Sequence, residues 1–174
     1  MIIAMKTSVT SRRKVEGRRN TDYLRLVSGN EKIVIRSTDG KRTIVQSVDL
    51  FTCGVDEDLH NLDTDVQGLP TKEMAVQIFE MTKSGTLAHM YGSFGEKLDS
   101  LCLEQSQIIS FVENHEEWFR TGSYTMSFLF MVSEKLCVVR VTSINGEFYA
   151  NIKSLVNKSV WPSSSKVRFV LPQP

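Results

Sequence analysis

Hydrophobic positions along the chain change period twice, and the changes divide it into strand, helix and strand regions. In the first region, "DYLRLV" and "EKIVIR" read as short strands. "RTIVQSVDLF" alternates as a third, with Ile44, Val48 and Leu50 on one face and Gln46 interrupting it. Asp39-Gly40 sits between two of these runs and predicts a hairpin turn. From Thr71 the pattern shifts towards helical spacing. Thr71 serves as N-cap, Glu73 stands in the first turn, and Ala75, Val76, Ile78, Phe79 and Thr82 form an apolar stripe ending near Gly85. "TLAHMYG" supplies at most two further turns, and Ser93 and Glu96 have capping-box spacing ahead of Leu98 and Leu101. The clearest helix runs over residues 104–119. Ile108, Ile109, Phe111, Val112, His115, Trp118 and Phe119 make one face, with Gln105, Gln107, Ser110, Glu113 and Glu117 on the other.

Past residue 120 the period becomes two. Tyr124, Met126, Phe128, Phe130 and Val132 share a face, while Leu129 and Met131 on the opposite face predict a strand covered on both sides. Ser133-Glu134 forms a tight turn, "KLCVVRVTS" the next strand, and Asn145-Gly146 the residues of a type I′ hairpin. Phe148, Ala150 and Ile152 face inward on the following strand, and "KVRFVLP" ends the series after a loop carrying Trp161. The expected fold is α+β: a small N-terminal antiparallel sheet or hairpin, a central helical block, and a C-terminal antiparallel meander packed on the 104–119 helix. The expected division is a flexible basic arm over 1–20 and one domain over 21–174. Within that domain lie a β subregion at 21–53, a loop at 54–69, helices at 70–120 and the meander at 121–174.

Charge sharpens these divisions. Residues 1–42 hold 11 Lys+Arg against 4 Asp+Glu, residues 43–117 hold 3 against 14, and residues 118–174 hold 7 against 2. An acidic middle between basic flanks implies either segments that neutralise one another or separate electrostatic roles. Cys53, Cys102 and Cys137 are odd in number and widely spaced, which predicts reduced thiols in an intracellular, cytoplasmic protein. No apolar run reaches membrane-spanning length, so no membrane contact is expected.

Two groups of residues are candidates for binding chemistry. Arg12, Arg13, Lys14, Arg18 and Arg19 form a basic cluster suited to nucleic-acid phosphates, although no base-reading motif stands beside it. The stretch "GVDEDLHNLDTDVQG" holds five carboxylates and a histidine between Asp56 and Asp65, which makes Asp56, Asp58, His60, Asp63 and Asp65 metal-ligand candidates. Counted from Asp63, the spacing puts Gly68 at the sixth calcium-loop position, but Met74 stands where a bidentate Glu is required. The stretch therefore reads first as an acidic boundary loop. No P-loop, nucleophile elbow or dinucleotide fingerprint is present. No catalytic residue and no cofactor is assigned.

The succession from "MYGSFGEKLDS" through Trp118, Arg120, Thr121, Tyr124, Phe128 and Phe130 to Val170, Pro172 and Gln173 resembles a group of small uncharacterised bacterial proteins. The likeness covers roughly residues 70–174, with Leu171 inserted before Pro172. It implies a bacterial origin and a helix-then-meander domain, and carries over no site residue. The leading expectation is a non-enzymatic binding or regulatory module that contacts another macromolecule, a protein partner or a second copy. The alternatives are a nucleic-acid-associated protein using the arm, and a small metal-dependent or acid/base enzyme built on His60, His89 or acidic residues.

Overall fold

The structure, a computed structural model, describes residues 17–62, 64–95, 97–120 and 124–174. Arg12, Arg13, Lys14 and Asp63 lie outside the described residues. Eight strands form one mixed sheet with helices on both faces. They are β1 (Leu24–Leu26), β2 (Ile33–Ile35), β3 (Gly54–Val55), β4 (Met74–Met81), β5 (Thr125–Val132), β6 (Lys135–Ile144), β7 (Glu147–Ser154) and β8 (Val167–Pro172). Their order is β1-β4-β8-β5-β6-β7-β3, with β2 also paired to β4. The β5–β8 and β3–β7 pairs are parallel and the rest antiparallel.

Alternation along the strands separates two cores. Val76, Ile78, Met126, Phe128, Val139, Ala150 and Ile152 pack on one face against α3 (Gln105–Asn114). Leu59 of α1 (Glu57–Asn61) and Phe119 of α4 (Glu117–Arg120) complete that layer. Phe79, Met81, Leu129, Val138, Phe169 and Leu171 pack on the opposite face beneath α2 (Leu87–Gly92) and Leu101 of a short 3₁₀ turn. Phe111 joins sheet to helices through Phe128 at 5.4 Å and Phe119 at 6.2 Å between ring centroids. Edge-on and tilted aromatic pairs of this kind add about 1 kcal/mol each beyond their buried area.

The meander forms as the alternation requires. Ser133 (φ 45°) with Glu134 (φ 64°), and Asn145 (φ 54°) with Gly146 (φ 89°), have the paired left-handed conformations of two-residue hairpin turns. The last strand departs from a simple meander: β8 crosses back to lie between β4 and β5.

Four expectations are corrected. Residues 74–81 are a central strand, not a helix: Val76 and Ile78 enter one core, and Phe79 and Met81 the other. A run buried on both faces has no polar alternation to distinguish it from a helix. Residues 43–51 are consecutive turns, closed by Ser47 N–H to the Ile44 carbonyl at 3.2 Å and Phe51 N–H to the Ser47 carbonyl at 3.0 Å. Ile44 and Phe51 are buried while Val48 is 68% exposed. No separate N-terminal hairpin forms at Asp39-Gly40, because β2 pairs with β4. Finally, the 104–119 helix breaks at His115 (φ −136°), and Gln105 and Gln107, expected on its outer face, are buried.

Candidate functional site

The acidic stretch folds into β3 and α1, and its side chains fasten local structure. Asp56 caps α1, its Oδ1 accepting the Asp58 N–H at 3.1 Å. Asp58 lies 3.8 Å from Lys153 Nζ. Asp65 Oδ1 accepts from Thr43 Oγ1 at 3.1 Å and Gln46 Nε2 at 2.6 Å, pinning the turns of residues 43–51. His60 is exposed on α1. Among the described residues no three His, Cys, Asp or Glu side chains come together as a metal site.

The other two histidines have structural partners. His89 Nδ1 accepts the Thr86 N–H at 3.3 Å while Thr86 Oγ1 accepts the His89 N–H at 3.2 Å, a reciprocal cap for α2. His115 Nε2 lies 3.0 Å from the Val34 carbonyl. A carbonyl only accepts, so this nitrogen carries the proton. In the basic cluster, Arg18 is 9% exposed and its backbone N–H donates to Gln77 Oε1 at 2.8 Å, whereas Arg19 is exposed.

Less regular chemistry gathers on the α2 face of the sheet, towards β6 and β7. Ser127, Arg140 and Asn151 are register partners across β5, β6 and β7, and so form a polar row. Ser127 Oγ, Arg140 Nε, Asn151 Oδ1 and the hydroxyl of Tyr91 are all buried with no hydrogen-bond partner among the described residues. Native interiors leave few such atoms unpaired, so four on one sheet face set it apart.

Arg140 is the centre of this group. Its guanidinium carbon lies 4.0 Å from the ring centroid of Trp161. No ion pair to a described carboxylate offsets its charge. Burial pushes its pKa down, and proximity to Tyr91 opposes that shift. The Tyr91 phenol is pushed well up by burial and by Cys102, so it stays neutral and supplies no counter-charge at ordinary pH.

Trp161 is held from both sides by backbone. Its N–H donates to the Gly85 carbonyl at 2.8 Å, and the Gly85 N–H donates to the Trp161 carbonyl at 3.1 Å. On its other side Gly85 has no room for a side chain: a Cβ there would stand 2.9 Å from the Tyr23 ring. Beside Trp161 opens a groove of about 570 Å³, lined by Leu87, Lys153, Asn157, Ser159, Val160 and Pro162 among others. It combines an aromatic and aliphatic wall with short polar side chains and one cation, the mixture typical of binding clefts.

In the sequence Trp161 stands in a loop with no expected role, yet the composition around it carries a signal. Residues 148–174 contain Lys153, Lys158, Lys166 and Arg168 and no Asp or Glu. Lys158 and Lys166 are exposed beside groove-lining positions. Arg168 is differently placed. It stacks 3.6 Å from the Tyr124 ring centroid, donates to the Trp118 carbonyl at 3.0 Å and lies 3.8 Å from Glu80. Its charge is matched on the other face of the sheet.

No family model, curated protein or solved structure matches the chain. No helix among the described residues is long and apolar enough to cross a membrane.

Proposed function

We propose that the protein is a non-enzymatic binding module that contacts a negatively charged macromolecule through the face bearing Arg140, Lys153 and Trp161. The observation that carries this reading is Arg140: a partly buried cation, stacked on an aromatic ring, with no carboxylate paired to it. A half-buried cation without a paired carboxylate leaves uncompensated positive potential at this face, and an external anion offsets it. The acid-free stretch that follows extends the same potential over the surface. Structural tasks for Asp56, Asp65, His89 and His115 favour binding over acid/base chemistry.

Retention of the full chain on immobilised heparin tests the proposal. Replacing Lys158 and Lys166 by Glu is expected to lower the eluting salt concentration more than replacing Arg12, Arg13 and Lys14 by Ser. The reverse order moves the binding surface to the N-terminal cluster and overturns the assignment to the Trp161 face.

A further inference from the structure

We infer that the anionic partner of this face is single-stranded nucleic acid, with a base against Trp161 and the flanking phosphates near Lys153, Lys158 and Lys166. The inference rests on the proposed binding function and names its partner.

Three features of the groove select this chemistry. Its wall carries an indole whose main chain is held by paired backbone hydrogen bonds to Gly85 and whose ring lies against the Arg140 guanidinium. A base stacks on such a ring regardless of its identity, because every base has a π-face. Next, the cations stand on the loop that builds the groove. Lys158 lies between the lining residues Asn157 and Ser159, and Lys166 follows Ser165. A strand whose base enters the groove thus passes Lys153 in its wall and two exposed lysines that are chain neighbours of its lining. Last, duplex grooves are read by an inserted helix or ribbon, whereas a cleft of about 570 Å³ with an aromatic wall suits an unstacked base.

Arg140 acts from behind. Stacked at 4.0 Å from the indole centroid, it adds positive potential to the cleft. Asp58 is the nearby competing group: it lies 3.8 Å from Lys153 Nζ, so a phosphate that approaches Lys153 displaces or shares that contact. Lys158 and Lys166 form no ion pair to a described carboxylate. An acidic peptide would satisfy the lysines but would leave the indole without a stacking partner.

The test uses the full chain and a fluorescein-labelled twelve-nucleotide deoxythymidine oligomer, with binding read by anisotropy at several salt concentrations. The oligomer is expected to bind, with affinity falling as salt rises. Trp161→Ala should weaken it on the order of tenfold or more, and Trp161→Phe much less. Lys158→Glu with Lys166→Glu, both at exposed positions, should weaken it and flatten the salt dependence. In an amide-proton NMR spectrum the Trp161 indole signal should move on binding and the Trp118 signal should stay. The NMR arm needs no substitution, so a folding defect in Trp161→Ala does not obscure the result. Equal affinity for a poly-glutamate peptide that leaves the Trp161 signal unmoved overturns the nucleic-acid inference while the binding function stands. Binding of neither polymer overturns both.

Discussion

The side-chain carbonyl of Gln105 accepts the backbone N–H of Ile44 at 3.0 Å. The Gln105 amide donates to the Thr64 carbonyl at 2.6 Å and the Val66 carbonyl at 3.2 Å. One buried side chain at the start of α3 thereby serves two irregular segments, the turns of residues 43–51 and the end of the acidic stretch. Gln105→Leu keeps the volume but leaves one buried donor and two acceptors short of partners. The expected loss is about 2–3 kcal/mol, measured as a lower urea midpoint with an unchanged slope. A loss below about 0.5 kcal/mol would show that water satisfies these groups and that Gln105 is not the fastener.

Arg140→Met should make the protein more stable. It replaces a desolvated cation without an ion-pair partner by an apolar chain of similar length. Replacing buried charges in this way is often stabilising, and about 1 kcal/mol is expected after the lost stacking on Trp161 is discounted. For a chain of this size that gain raises Tm by about 2–4 °C in a calorimetric scan. The same variant should bind the labelled oligomer less well. A drop in Tm would mean that the guanidinium is better solvated than its surroundings imply.

Ser28 fills a gap in the sheet edge. β1 covers Phe79–Met81 of β4 and β2 covers Met74–Val76. Between them, Ser28 Oγ accepts the Ile78 N–H at 3.1 Å. Ser28→Ala leaves that buried N–H without its acceptor, at an expected cost of about 1–2 kcal/mol. Hydrogen exchange at Ile78 should accelerate by at least the factor matching the global loss, and an unchanged exchange rate would contradict the assignment.

Alkaline pH should weaken the fold through Cys102. Burial, then the charges of Asp99 and Glu104, push its thiol from 9.0 up to about 11. The folded protein therefore holds this proton more tightly than the unfolded chain. Its contribution is present in full below pH 9 and declines as pH rises from there towards 11. Denaturant midpoints measured across that window should fall less steeply for Cys102→Ala than for the wild type. Parallel slopes would remove Cys102 as a cause.

Gly40 adopts φ +77°, and a Cβ there would approach the Leu69 backbone to 2.5 Å. Its carbonyl accepts the Gly68 N–H at 2.9 Å, joining the far end of the acidic stretch to the chain after β2. Gly40→Ala combines left-handed strain with a clash against main chain, and should cost about 2 kcal/mol or more by chemical denaturation.

These cases also mark what the amino-acid order makes legible. β5, β6 and β7 follow from local alternation and from Asn145-Gly146, because neighbouring strands joined by two-residue turns need no distant information. β4 is hidden, since Val76 and Ile78 enter one core and Phe79 and Met81 the other, and together they resemble a helix stripe. The turns of residues 43–51 are hidden for a related reason. Ile44 and Phe51 are buried seven residues apart, and the intervening alternation is an accident of composition. The Trp161 face depends on Gly85, seventy-six positions earlier, and on Arg140 across the sheet. No local pattern encodes such pairings, although the absence of acids from residues 148–174 points to the region.

The position of β8 has a consequence for synthesis. Residues 167–172 lie between β4 and β5, and the hydrogen-bonded path from the N-terminal strands to the meander runs through them. While the ribosome still holds residue 172, the earlier strands can form two partial ribbons, each with an open edge where β8 will dock. A chain that stops before residue 167 therefore leaves two half-sheets with open edges at β4 and β5, and such edges are natural targets for chaperones and proteases.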